Sequence, residues 1–197
     1  MEQRGVKESD APKVEYRLTF ASDITLDTAN SLRSRIAEIL EQPDFGALTI
    51  LFSSEGGSCD QSLALYNYIS ALPVALQMHA MGHVGSASIP VFLATRKRTC
   101  ARHARFFFHE YDWTFEGSQT LRRITEAVER LSNDIELAQE IIKTSTKAGP
   151  DIVNALDGTA SPKIILPEEA KLLGFVDDIA DLKEAASDGM PFVVWTV

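Results

Sequence analysis

Short apolar runs and longer amphipathic stretches take turns along this chain. The runs 14–20, 47–53, 74–81, 99–109 and 175–179 read as strands, being rich in Val, Ile, Leu and Phe and bounded by turn residues. Between them lie helical patterns at 25–41, 59–71, 86–96, 117–147, 150–156 and 167–173. Strands that alternate with helices predict an α/β fold with parallel pairing and right-handed crossovers. Residues 14–197 are expected to form one domain. Residues 1–13, MEQRGVKESDAPK, are polar and aperiodic, and are expected to be a disordered N-terminal tail.

Two strand-to-helix turns carry the chemistry. In the first, GHVGSA (82–87) connects the apolar run 74–81 to the buried helical segment PVFLAT (90–95). This puts Ser86 at a helix start, and Pro90 fits a first turn whose N–H groups lack helical partners. The unpaired donors of Ala87 and Ser88 would favour an oxyanion, so a nucleophilic hydroxyl and its stabiliser share the turn. The plainer alternative is that Ser86 only caps the helix. In the second turn, Glu55-Gly56-Gly57-Ser58 follows the strand 47–53, and its glycines let backbone N–H groups approach a ligand closely. Gly57 is the expected second oxyanion donor. Further along, FFFHE (106–110) ends an apolar run in His109, the possible base, with Phe106, Phe107 and Phe108 expected to be buried on both faces of their strand.

The order GGS (56–58), GHVGSA (82–87), FFFHE (106–110) and PEEAKLLGFVDDI (167–179), with LTFASDITLDTANSLRSRI (18–36) ahead of them, resembles the proteolytic subunit of Clp protease over roughly residues 14 to 180. The resemblance implies a ClpP/crotonase-like spiral of β-β-α units with a projecting handle helix. It also implies that Ser86 is the nucleophile and His109 the general base, with Gly57 and Ala87 supplying the oxyanion hole. The family's third member, an aspartate, falls on Pro162 when Glu168, Glu169 and Ala170 are aligned without gaps. Asp157, five positions earlier, is the expected replacement, with Asp151 and Asn154 weaker choices. Ile89 and Pro90 stand where small residues would be expected and alter the pocket beside the nucleophile. A carboxylate that orients the histidine contributes orders of magnitude in rate, so reduced activity is open. The readings are therefore a Ser-His peptidase acting by an acyl-enzyme route, a Clp-like assembly scaffold that cuts poorly, or a crotonase-type acyl-CoA enzyme.

Within 117–147, Leu121, Ile124, Val128, Leu131, Ile135, Ala138 and Ile142 recur at helical spacing. A helix of about thirty residues would span roughly 45 Å, more than one such domain covers, so this stripe is expected to meet another subunit in a homo-oligomer, ring-forming as the resemblance implies.

Composition narrows the partners. With a formal net charge of −9 and a pI near 4.9, general binding to nucleic acid or anionic membranes is disfavoured, despite the basic run Arg96, Lys97, Arg98, Arg102 and Arg105, which is expected to be a turn and strand edge. His79, His83 and His103 lack metal-ligand spacing, so no metal is expected, and acyl transfer needs no cofactor. Glu110 points away from the face of His109. Two cysteines, Cys59 and Cys100, and no apolar leader suggest a cytoplasmic setting. Without a GxxxxGK[ST] loop, any ATP dependence belongs to a separate unfoldase that delivers peptide or unfolded protein substrate.

Overall fold

A computed structural model describes residues 13–115, 117–181 and 191–197. The expected tail lies outside these residues except for Lys13. The strands are β1 (Val14–Ala21), β2 (Phe45–Ser54), β3 (Leu76–Gly85), β4 (Lys97–Cys100), β5 (Arg105–Phe108), β6 (Lys163–Ile165), β7 (Asp178–Ile179) and β8 (Phe192–Thr196). The helices are α1 (Leu26–Leu40), α2 (Cys59–Ser70), α3 (Ser88–Phe92), α4 (Leu121–Ser145), α5 (Pro150–Val153) and α6 (Pro167–Leu172).

Among the described residues, one sheet of eight strands runs β6-β5-β3-β2-β1-β8, with β4 bridging β3 and β7. Its pairs are parallel except β5 with β6. The crossover helices α1 and α2 cover it with Leu32, Ile36, Ile39, Leu65 and Ile69, against Leu18, Phe20, Ile50 and Phe52 in the sheet. Each helix starts on a hydroxyl cap, Thr25 for α1 and Ser58 for α2, as a polar residue before an apolar stripe dictates.

Several boundaries differ from the sequence reading, each for a local reason. The expected strand 99–109 is two strands, because Ala101 turns back to donate to Ala80 O while Ala104 donates to Ala101 O. The first half of β3 therefore pairs with β4 and its second half with β5. In β5, Phe106 and Phe108 are fully buried but Phe107 is only half-buried, so the run alternates instead of being covered on both sides. The strand 74–81 continues to Gly85, which reduces the expected helix 86–96 to the five residues of α3. Helix α4 has 25 residues, about 37 Å, because Thr120 caps it at Arg123 N.

Arg98 is a buried clamp, not part of a surface edge. Its guanidinium donates to the carbonyls of Thr95 (2.6 Å), Phe175 (2.9 Å) and Gly174 (3.1 Å), joining the end of α3 to the α6–β7 connection.

His79 is the other buried base in the sheet. Its Nδ1 lies 2.8 Å from Thr99 Oγ1, which also accepts from Gln77 Nε2. Its Nε2 has no hydrogen-bond partner among the described residues. Burial first, and the Arg17 charge second, lower its pKa to about 4. Between its ordinary value near 6.5 and about 4, the unfolded chain takes up a proton that the folded chain refuses. Stability from this residue is thus complete above that window and falls with pH inside it, by about 3 kcal/mol at its lower end. In urea unfolding between pH 7 and 4, His79→Leu is expected to flatten the pH slope; an unchanged slope would refute this.

Candidate active site

The Ser86 turn is the sharpest point of the backbone. Ser86 has φ of 52°, the only non-glycine residue in the left-handed region among those described. A side chain there is strained, and in strand-turn-helix connections such strain lifts a hydroxyl clear of the sheet. Ser88 holds the turn in place. Its fully buried hydroxyl accepts from Gly85 N (2.9 Å) and lies within hydrogen-bond distance of Gly85 O (2.7 Å) and Ser54 O (3.1 Å). This fastens the end of β3 to the end of β2. The sequence reading treated Ser88 only as a donor, although a second serine two residues after the first was its signal.

The glycine turn fits directly against it. Gly56 and Gly57 have φ of 113° and 129°. A Cβ on Gly56 would lie 2.8 Å from Ser86 Cβ and 3.1 Å from Ala87 N, while one on Gly57 would collide with the Ile24 carbonyl. Only glycine permits both the conformations and the contact. Gly56 O accepts from Ile24 N and Ile24 O accepts from Ser58 N, so the turn is pinned on its far side. No acceptor among the described residues is hydrogen-bonded to Gly57 N or Ala87 N. With α3 only five residues long, any anion would be held by these oriented amides and not by a long helix dipole.

His109 follows β5, which lies beside this turn. Gly85 pairs with Phe107, and Ser86 N donates to Phe107 O at 3.0 Å. Two residues on, the His109 ring stacks on Phe107 at 4.9 Å between centroids. The backbones of Ser86 and His109 thus approach through Phe107. No hydrogen bond joins the hydroxyl to the imidazole among the described residues.

Asp157 sits elsewhere in its hydrogen bonding. Its Oδ1 accepts from Thr159 N (2.9 Å) and Thr159 Oγ1 (2.6 Å), and Oδ2 accepts from Gln139 Nε2 (2.9 Å). The Thr159 donors, most of all, hold its carboxyl below the usual carboxylate range. No bond reaches His109. The antiparallel register Phe106↔Ile165, Phe107↔Ile164, Phe108↔Lys163 ends one step short of His109 and Pro162, the residues that follow and precede the last pair. Asp151 instead approaches Lys163 Nζ at 3.4 Å.

His83, weighed in the sequence only as a metal ligand, belongs to this neighbourhood. Arg105 Nε donates to its Nδ1 (2.9 Å), which places the ring proton on Nε2, 3.0 Å from Glu55 Oε2 just ahead of the glycine turn. Burial chiefly lowers its pKa; Glu55 opposes this, while Arg105 and His109 add to it. Among the described residues no group of three or more His, Cys, Asp or Glu is arranged to hold a metal, and no helix is long and apolar enough to cross a membrane.

The family model described as Clp protease matches residues 12–183. The chain is 28% identical over 156 residues to the ATP-dependent Clp protease proteolytic subunit 2 of Borreliella burgdorferi, covering 74% of this chain and 77% of that one. Among solved structures, a ClpP1 mutant from Listeria monocytogenes superposes with a TM-score of 0.70 at 19% identity, covering 85% of this chain and 92% of that one. That likeness shows the ClpP/crotonase-like fold.

Proposed function

Since this chain belongs to the Clp protease family, we propose that it is a serine peptidase that cuts extended peptides through an acyl-enzyme. Ser86 Oγ attacks the scissile carbonyl and His109 takes its proton, then returns it to the leaving amine. Gly57 N–H and Ala87 N–H hold the oxyanion. The observation that carries this reading is the left-handed Ser86 on its strand-to-helix turn, packed against a glycine turn, with the two unpaired amides on either side. The absent Ser86–His109 hydrogen bond does not count against it, because such bonds tighten when substrate binds. Asp157 accepts from Thr159 and Gln139 and makes no hydrogen bond to His109, so this reading takes Ser86 and His109 as a dyad in the ground state.

A poorly cutting assembly is the second reading, favoured by the absence of any hydrogen bond from Asp157 to His109 and by Pro162, which brings no carboxylate, just before β6. A fluorophosphonate probe separates the two. Stoichiometric labelling located at Ser86 by mass spectrometry, and slowed at least tenfold in His109→Ala, is expected. Absence of labelling on folded protein would leave the scaffold reading.

Assembly is part of the proposal. Leu121 (81% exposed), Ile124 and Val128 stand on the outer half of α4, where this chain buries none of them. Such a stripe supports docking between copies in an oligomeric ring, fed by a separate ATP-dependent unfoldase.

A further inference from the structure

His83 pairs with Arg105 and Gly85 with Phe107, so the odd-numbered residues of these two parallel strands share one face of the sheet. On that face the His83 ring fills the space over Gly85, where a Cβ would collide with its Nε2. Gly85 does not lie in the left-handed region, so it is the ring and not the backbone that requires a glycine there. The ring is 12% exposed and held from three sides. Arg105 Nε donates to Nδ1 (2.9 Å), Glu55 Oε2 lies 3.0 Å from Nε2 without an aligned hydrogen bond, and the Phe107 ring sits 6.1 Å away between centroids. Phe107 in turn stacks on His109. Glu55 precedes the glycine turn, Gly85 precedes Ser86, and Arg105 stands four residues before His109. One imidazole therefore touches all three segments that build the proposed site.

Only the neutral ring makes these contacts. Nδ1 must keep its lone pair to accept from Arg105, and a proton there would set N–H against N–H and place a positive charge beside a guanidinium. Burial is the main effect that disfavours this proton; Glu55, on the turn after β2, opposes it, while Arg105 on β5 and His109 just after β5 add to it.

We propose that His83 is a positioning residue for acyl transfer at Ser86: its neutral imidazole, seated on Gly85 between Glu55 and Arg105, braces the glycine turn, the nucleophile turn and the base strand in one arrangement. The inference rests on the peptidase reading, since what the ring governs is the relative placement of Ser86, His109 and the two oxyanion amides. A displaced hydroxyl or amide costs rate more than substrate affinity, so loss of the brace falls on kcat.

Labelling of Ser86 by a fluorophosphonate and cleavage of one fluorogenic peptide, both on folded full-length protein, test it. His83→Ala is expected to slow labelling and lower kcat about tenfold or more, with KM moved less than about twofold. Gly85→Ala pushes the ring off its seat without altering its chemistry; it should do the same, and the double variant should be no slower than either single one. His83→Gln, an amide that still accepts from Arg105 but cannot titrate, should keep the native rate within about threefold near pH 8. Between about pH 7 and 5 the native labelling rate should fall more steeply than loss of one base allows, whereas His83→Gln should show the one-proton slope of His109 alone. The slope comparison decides where His83→Ala does not fold. Native labelling in folded His83→Ala, additive losses in the double variant, or the same pH slope in native and His83→Gln protein overturns the brace and leaves the peptidase reading standing. No labelling of Ser86 and no Ser86-dependent cleavage in the native protein removes the peptidase reading, and the brace with it.

Discussion

Pro162→Asp is expected to raise peptide turnover by up to about 10⁴-fold, the scale on which an orienting carboxylate acts in a serine triad. The site is chosen by extending the register: Phe108↔Lys163 is the last pair, and one further step would set position 162 against His109. Directly opposed residues on antiparallel strands project from the same face, within side-chain reach. A carboxylate there would fix the histidine tautomer and stabilise the imidazolium formed during attack. Losing the proline costs only about 0.4–1 kcal/mol through the unfolded chain. Pro162→Asn is the control, since an uncharged side chain of that shape stabilises the imidazolium far less. Equal kcat in native, Asp and Asn forms, all folded, would show that a carboxylate at position 162 does not orient His109.

Ser86→Ala in that background is expected to remove about 10⁶-fold in kcat, but only about 10²-fold in the native chain. The difference follows from how triads fail. Full removal costs roughly 10⁶ while loss of the carboxylate alone already costs roughly 10⁴, so a chain without it has only the remaining factor to lose. Steady-state kinetics on one fluorogenic peptide across the four proteins completes the cycle. Additive losses, the same factor in both backgrounds, would mean that Ser86, His109 and Asp at position 162 do not act as a unit.

The architecture could be read because the apolar runs and their turns are strong signals, and the two glycine-rich connections that meet at Ser86 could be named from their order alone. What escaped is instructive. The break between β4 and β5 falls at Ala101-Arg102-His103-Ala104, which has neither glycine nor proline to mark it. Strand β6 is three residues, too short for periodicity, yet it is the antiparallel partner of the strand that leads into His109. Strand β8 pairs with β1 from the far end of the chain, beyond any local pattern. Arg98 looked like one of five surface cations, and only the carbonyls around it show that it is buried. Asp157 illustrates the converse limit: the sequence offers it as the acid for His109, but only the structure shows that Thr159 and Gln139 donate to its carboxylate.

The Ser88 hydroxyl has a wider consequence. By stitching Gly85 to Ser54, it makes nucleophile and amide donors travel as a single rigid block. Loss of that one oxygen, as in Ser88→Ala, would slacken both turns at once while leaving the β5–β6 ladder ahead of the imidazole untouched.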